Sequence, residues 1–503
     1  MMKLHTFAFI IYHLYFIIYH SKFMTILHIS AECYPAAKAG GLGDVVGALP
    51  KYLNNAGVET AVIMPKHRTK WLANQTFEPL MEGSVRIGWE WQSYAIEKCL
   101  NDTLGYDLYV VNAPQYFDRS GIYTDASGTG FKDEDQRSLL FQQAVIHWVM
   151  GMAVKPKVLH CHDHHTALLP FMVQYCPEYE VLADIPTVFT IHNGQYQGAF
   201  SWKQNGIMPS YRGEAVGLLD WQNTINPMAS AIKCAWRFTT VSLGYLEELK
   251  ANSGGLEWLI NNEAHKSAGI LNGIDAQVWD PATDPMLSYN LVGDDVDTFK
   301  DRNREALLRM FHLNPQLPII TFIGRAVGEK GADLLPELYE RYLAMGGGAN
   351  FLFLGTGDPS VTDALVRLAY QYPEKMGVMI DYNEAVSHQL YAGSDFLIMP
   401  SRVEPCGLNQ MYSLRYGTVP IVRSIGGLRD TVTDISSPKG GSGIRFDNFD
   451  IDEAMTALHR SMRLWWDNKK GFMALRRSIM KIDNSWEYAT GQYIALYEEI
   501  AEL

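Results

Sequence analysis

Short apolar segments rich in β-branched residues recur along the chain from Met24, and turn-forming residues bound each of them. In the first half they are TILHIS, ETAVIMP, LYVVNAP, KVLHCHD, TVFTIHN and RFTTVS, and in the second PIITFIGR, NFLFLGTGD, VMIDY, FLIMPS and VPIVRS. Between several of them apolar residues recur at helical spacing, as over Arg137–Gly151 and His165–Tyr175. Strands that alternate with helices predict parallel sheets with helices on both faces. The pattern therefore predicts an α/β protein with two doubly wound halves.

A segment rich in Gly, Asp and Pro, GILNGIDAQVWDPATDP, separates the two series of strands. We predict a Rossmann-like N-terminal domain over 24–268, a linker over 269–285, a Rossmann-like C-terminal domain over 286–484 and a terminal helix over 485–503. Sheets of this class bind ligands outside the carboxyl ends of their strands. The expected site is therefore a cleft between the two halves.

The first 23 residues differ from the rest because FAFIIYHLYFII, after Lys3, is strongly apolar. The segment is shorter than the roughly 20 residues that span a membrane, and no small-residue cleavage site follows it. We expect Met24 to be the true start and residues 1–23 to be a gene-model extension. An N-terminal membrane anchor is the alternative.

Composition narrows the function classes. The 503 residues include 42 Lys+Arg and 55 Asp+Glu, a formal charge of −13, which argues against nucleic acid as the main partner. Six scattered cysteines without a CxxC pair indicate reduced thiols. No long apolar window follows Met24. We therefore expect a cytoplasmic protein without stable membrane association, and the sequence leaves the oligomeric state open.

The stretch KAGGLGDVVGALP, from Lys38, places glycines between a strand and a helix. Such a turn lets the backbone approach a ligand, and the helix start offers free N–H groups to an anion. The spacing matches neither the Walker loop nor GxGxxG. The stretch is suited to a diphosphate, with Lys38 as a point charge, or it is a packing device.

Two further stretches at strand ends carry charge. In GRAVGEKG, Arg325 and Lys330 could neutralise a leaving diphosphate, or they could be solvated loop cations. In PSRVEPCGLNQ, Glu404 precedes Cys406 and Gly407 at a helix start, where a carboxylate can hold sugar hydroxyls or complement the helix dipole.

Histidines cluster in LHCHDHHTALL, which invites a metal-site interpretation. His164 stands where binuclear metallohydrolases need an aspartate, and no HExxH pattern is present, so we expect no metal ion. Asp163 is the polar residue at this strand end. His192, in TVFTIHNGQYQG, follows the next strand and is either structural or directed into the cleft.

These stretches, together with GILNGIDAQVWDPATD and the run from Pro400 to Val432, resemble bacterial glycogen synthases and plant starch synthases, the family 5 glycosyltransferases. The match extends from Met24 to Leu503. The resemblance implies the GT-B fold, two Rossmann-like domains facing a central cleft. It also implies metal-independent transfer of glucose, with retention, from ADP-glucose or UDP-glucose to the non-reducing end of an α-1,4-glucan such as glycogen. No cofactor is implied. The resemblance to the bacterial enzymes favours ADP-glucose as the donor, whereas the sequence alone does not decide between ADP-glucose and UDP-glucose.

The resemblance also implies roles by motif position. Arg325 and Lys330 would hold the diphosphate, Glu404 the glucose, and Asp163 and His192 would border that glucose. The other positions carried over as donor contacts are Lys38, Gly41, Gly43, Asp44, Asn272, Tyr382, Cys406, Gly407 and Leu408. Among them, Tyr382 would stack on the base.

The chain departs from the family pattern at a few positions. Ala39 and Ile425 replace threonines, and His164 replaces a tryptophan. Tyr412 stands where many retaining GT-B enzymes have a second glutamate, which favours the glycogen and starch synthase pattern.

Other functions remain open at this point. They are a retaining transferase with a small-molecule acceptor, a catalytically inactive glucan-binding protein and a metallohydrolase. For the transfer itself, front-face attack fits the residue types better than a covalent intermediate on Asp163.

Overall fold

The computed structural model describes residues 25–125 and 127–501. The predicted leader, residues 1–23, lies outside them. The described chain forms two compact units, of which the first contains 25–239, 252–268 and 490–501. The second contains 240–251 and 269–489, so the predicted linker is part of it. No helix in the described ranges is long and apolar enough to cross a membrane.

The regular elements alternate as the apolar pattern predicts. The strands are β1 Ile26–Ile29, β2 Thr60–Pro65, β3 Phe77–Ile87, β4 Glu90–Cys99, β5 Asp107–Asn112, β6 Val158–His162, β7 Thr187–Ile191, β8 Phe200–Ser201, β9 Asp220–Trp221, β10 Thr224–Ile225, β11 Arg237–Thr240, β12 Ser267–Gly269, β13 Ile319–Ile323, β14 Asn350–Leu354, β15 Met376–Met379, β16 Phe396–Met399, β17 Val419–Arg423 and β18 Ile444–Phe446. The helices are α1 Gly41–Asn55, α2 Lys70–Ala73, α3 Pro114–Phe117, α4 Glu134–Gly151, α5 Leu169–Tyr175, α6 Val216–Leu219, α7 Pro227–Cys234, α8 Leu243–Ala251, α9 Glu257–Asn262, α10 Val296–Phe311, α11 Leu335–Ala344, α12 Pro359–Gln371, α13 Glu384–Gly393, α14 Asn409–Arg415, α15 Gly426–Thr431, α16 Ile451–Asp467, α17 Lys469–Ile479 and α18 Trp486–Ile500.

A nine-stranded sheet, in the order β12-β11-β7-β6-β1-β2-β5-β4-β3, forms the centre of the first unit. Strand β1 pairs in parallel with both β2 and β6, and β7 in parallel with β6. These strands are buried along their length, as expected of a parallel sheet covered on both faces. Their carboxyl ends therefore meet at one edge of the sheet.

The antiparallel hairpin of β3 and β4 at one end of this sheet departs from the all-parallel expectation. Its turn contains Gly88, whose φ of 65° lies in the left-handed region that favours glycine. The alternation of polar and apolar residues over 77–99 is the signal that could have revealed it.

The second unit contains a six-stranded sheet in the order β15-β14-β13-β16-β17-β18, and its paired strands run parallel. Its core packs aromatic and aliphatic side chains between sheet and helices; Tyr339 of α11, for example, stacks on Phe351 of β14 at 4.1 Å between ring centroids. Strands β13 to β17 match the apolar segments predicted for this half of the chain, whereas the short strand β18 was not predicted.

Candidate active site

The glycine-rich turn after β1 is held by a carboxylate that the sequence analysis did not single out. Glu32 is 2% exposed. Its Oε2 accepts the backbone N–H groups of Ala39 and Gly40, the latter at 2.9 Å, and its Oε1 accepts the hydroxyl of Tyr123 at 2.6 Å. Since the amides of Ala39 and Gly40 are already satisfied, a bound anion must use the groups that follow them.

The residues around this turn include the predicted donor contacts, which are Lys38, Gly41, Gly43 and Asp44. Helix α1 begins at Gly41, and Asp44 lies in its first turn. Lys38 Nζ forms an ion pair with Asp44 Oδ1 at 2.7 Å, and both side chains are about one-third exposed. A Cβ added to Gly43 would lie 3.2 Å from Glu32 Oε2 and from Lys38 Cβ, so a larger residue here would have to displace these side chains slightly.

Asp163 and His192 lie together at the ends of β6 and β7. Asp163 Oδ1 accepts the backbone N–H of His192 at 2.7 Å and that of Asn193 at 3.4 Å. Asp163 has a φ of 54°, which is rare outside glycine. Burial raises the pKa of its carboxyl to about 7, against the two amide bonds that lower it. The carboxylate thus orders the turn that carries His192.

The histidines group differently from the motif that first drew attention to them. His28, His160 and His162 place one ring nitrogen each within 4.8 Å of one another, a spacing that a metal ion could use. Both nitrogens of His160 are hydrogen-bonded, to the hydroxyls of Tyr497 at 2.7 Å and Thr190 at 2.6 Å. A metal ion would have to displace these bonds, so the arrangement suits a hydrogen-bonded network better than a ligand set.

In the second unit, Lys330 and Glu404 form the central pair. Lys330 Nζ donates to Glu404 Oε1 at 2.6 Å, and Ser401 Oγ donates to Oε2 at 2.9 Å. Glu404 is 4% exposed and Lys330 is half-buried. Both oxygens of the buried Glu404 carboxylate therefore accept a hydrogen bond, and this carboxylate holds the Lys330 ammonium in place.

Arg325, at the end of the neighbouring strand β13, remains largely exposed. Its guanidinium lies 3.5 Å from Glu329, and its side chain is 63% exposed. A long exposed cation of this kind is available to a ligand, because a surface ion pair is weak.

The remaining predicted residues of this unit lie in loops after strands. Burial raises the pKa of the Cys406 thiol to about 12, and the backbone of Asn272 lies against it. Gly407, with φ of 74°, and Leu408 precede α14, and no described group accepts their amide hydrogens. Tyr382 follows β15 and is 79% exposed, as a residue that stacks on a base would be.

At a second glycine-rich helix start, SIGGLRD, other groups of the chain already accept the backbone N–H groups. Glu248 of α8 accepts the Gly426 N–H at 2.6 Å, and Asp430 accepts the Gly244 N–H at 2.7 Å. The Gly427 N–H donates to the carbonyl of Glu404 at 3.1 Å. This turn therefore supports the Glu404 loop instead of presenting free amides.

We expect Gly427→Ala to lower transferase activity by about 100-fold, because small displacements of positioned groups have costs of that order. The new Cβ would lie 2.1 Å from the carbonyl oxygen of Cys406 and push the loop that carries Glu404. Steady-state kinetics test this. Gly217→Ala is the matched control, since no heavy atom lies within 4 Å of its added Cβ. Equal activity of the two variants would contradict the assignment.

We expect Glu32→Ala to lower the free energy of unfolding by about 2–3 kcal/mol, because buried donors lose their acceptor. The Michaelis constant for the donor should rise as the turn loosens. Urea unfolding and initial rates measure the two effects. Glu32→Gln, which keeps one carbonyl oxygen, is the control and should lose less; wild-type values in the alanine variant would exclude a bracing role.

Two different family models match the first and the second half of the chain. Residues 25–262 match the family model for the starch synthase catalytic domain, and 303–470 match that for glycosyl transferases group 1. A glycogen synthase of Flavobacterium johnsoniae is 43% identical over 484 residues, which is 95% of this chain and 100% of the relative. A glycogen synthase of Streptococcus sanguinis is 35% identical over 488 residues, with the same coverage.

Among solved structures, the catalytic domain of starch synthase IV from Arabidopsis thaliana, bound to ADP and acarbose, superposes with a TM-score of 0.83 at 30% identity. The match covers 95% of this chain and 99% of that one. A sucrose-phosphate synthase of Thermosynechococcus elongatus, at 17% identity and a TM-score of 0.61, shares the fold. The predicted α/β class and GT-B fold are thereby confirmed.

Proposed function

The chain belongs to the glycogen and starch synthase family of glycosyltransferases, as its motifs predict, and we propose that it transfers glucose from ADP-glucose to the non-reducing end of an α-1,4-glucan with retention. The acceptor is glycogen or a related oligosaccharide. The observation that carries the proposal is the buried Glu404 carboxylate, paired with Lys330 at 2.6 Å, in the same unit as the exposed Arg325.

The chemistry requires stabilisation of charge on the leaving diphosphate. Lys330 supplies a compact cation fixed by Glu404, and Arg325 supplies a planar fork that can bind two phosphate oxygens. Preorganised donors of this kind are each worth about 3–4 kcal/mol of activation free energy. The amides of Gly407 and Leu408 add neutral donors. With these cations in place we propose that transfer needs no metal ion.

Retention is proposed to follow front-face attack, with the leaving phosphate accepting the proton of the acceptor hydroxyl. We propose that Asp163 is not the nucleophile, because one of its oxygens already accepts two backbone N–H groups. Its proposed role, beside the donor glucose, is to position His192. Lys38, Asp44 and Asn272 are proposed as further donor contacts.

Donor identity and stereochemistry are tested together. Purified protein is given labelled ADP-glucose or UDP-glucose with glycogen, and the product is digested with β-amylase, which cleaves α-1,4 chain ends. We expect faster incorporation from ADP-glucose and label released as maltose. Faster transfer from UDP-glucose would overturn the donor assignment, and label resistant to digestion would overturn retention. Label on a small sugar instead of glycogen would favour a different acceptor class.

A further inference from the structure

Three histidines of the first unit form a continuous series of hydrogen bonds. His28 Nδ1 lies 2.9 Å from His162 Nε2, and His162 Nδ1 lies 3.0 Å from His192 Nε2. They belong to adjacent strands, since His28 is in β1, His162 ends β6 and His192 follows β7. His28 and His162 are fully buried, whereas His192 keeps 7% of its surface exposed. The series thus runs from the interior to the strand-end edge.

The three imidazoles are neutral at physiological pH. Burial lowers the pKa of His28 and of His192 to about 3, and that of His162 well below its usual value. A neutral imidazole has one N–H donor and one acceptor nitrogen. All hydrogens in the series must therefore point the same way, either toward His192 or toward His28.

The surroundings of His28, at the buried end of the series, indicate in which direction the hydrogens point. His28 Nε2 is buried and has no hydrogen-bond partner among the described residues. If the hydrogens pointed inward, this nitrogen would carry an unsatisfied N–H, and buried N–H groups without an acceptor are rare. If they point outward, it carries only an unused lone pair. Outward polarity places a hydrogen on Nδ1 of His28, of His162 and of His192.

His160 isolates the series from other partners. Its ring packs against His162 at 4.2 Å and His28 at 4.7 Å between centroids. Its own nitrogens are taken by Tyr497 and Thr190, so it offers no acceptor to His28. The polarity of the series is therefore set by its own members.

We propose that His28 and His162 are positioning residues that fix His192 as the Nδ1–H tautomer, so that His192 donates a hydrogen bond to an oxygen of the bound sugar or diphosphate. The identity of that ligand rests on the proposed function, but the tautomer does not. His192 Nδ1 makes no hydrogen bond to the part of the chain that the structure describes, so its hydrogen is available.

Neutron diffraction from crystals of the deuterium-exchanged full chain tests the tautomer directly. We expect deuterium on Nδ1 of His192 and none on Nε2. Deuterium on Nε2, alone or with Nδ1, overturns the proposal. This readout needs no substrate, so an enzyme that proved inactive with every nucleotide sugar would refute the proposed function and leave the tautomer assignment standing.

A pair of variants tests the coupling. In His28→Asn the side-chain amide occupies the place of Nδ1–H and can still donate to His162, whereas His28→Leu cannot. We expect the leucine variant to lower kcat by about 10-fold and the asparagine variant to stay within about threefold of wild type. The 15N signals of His192 should change in the leucine variant only. Equal activities and unchanged signals in both variants would overturn the coupling, and the neutron result decides if neither folds.

Discussion

Lys330→Ala is expected to lower kcat for glucosyl transfer by about 100-fold to 1000-fold, the range typical of a lost charge-stabilising donor. The substitution removes the cation proposed to face the leaving diphosphate. It also leaves the Glu404 carboxylate buried without its counter-ion, which adds repulsion toward the phosphate. Initial rates at saturating donor and acceptor measure the effect.

Arg341→Ala is the matched control for this substitution. Arg341 lies on α11 in the same unit, is half exposed and pairs with Glu337 on its own helix. Its loss changes net charge equally but removes no proposed ligand contact, so activity should stay within about twofold, as for an ordinary surface pair. Comparable activity in the two variants would remove Lys330 from the site.

Acid is expected to destabilise the fold through its buried histidines. Burial lowers the pKa of His28 and His192 to about 3, and of His67 and His164 to about 4, against about 6.5 in the unfolded chain. Because the unfolded state binds more protons between these values, the stability present above pH 6.5 is lost as the pH falls. Between pH 7.5 and pH 5.5, each of these histidines lowers the free energy of unfolding by about 1.3 kcal/mol.

Asp163 acts in the opposite sense, because its pKa is raised to about 7 in the folded protein. Because the folded state binds this proton at a higher pH than the unfolded state does, Asp163 raises the free energy of unfolding by about 2 kcal/mol as the pH falls from 7.5 to 5.5. His160, His162 and His165, whose pKa values are also lowered, add to the loss. The net expectation is a fall of at least about 3 kcal/mol in the free energy of unfolding. Urea titrations at the two pH values measure it, and equal stability at both would contradict burial of the neutral histidines.

Much of the architecture could be predicted because strand and helix signals are local. The buried strands of both sheets are short β-branched runs. Asp163 and His192 follow their strands directly, and Arg325 and Glu404 lie in the loops that follow β13 and β16. Parallel topology then places the ends of neighbouring strands at the same edge. The placement of these residues therefore needed no knowledge of side-chain contacts.

What could not be predicted depends on contacts between distant residues. His28 meets His162 across 134 positions, and Glu248 reaches Gly426 across 178. Glu32 lies close in sequence to Ala39 and Gly40, but only the folded turn directs their amides at its carboxylate. A carboxylate after a strand and a histidine within a strand are common, and no sequence pattern distinguishes these from ordinary ones.

Incorporation of labelled glucose into glycogen from ADP-glucose and from UDP-glucose, with excess EDTA present, is the most direct test of the account. The cations at Arg325 and Lys330 are proposed to replace a metal ion at the diphosphate. We expect transfer from at least one donor at a rate that EDTA does not change. Absence of transfer from both donors, or transfer that EDTA abolishes and a divalent cation restores, would contradict it.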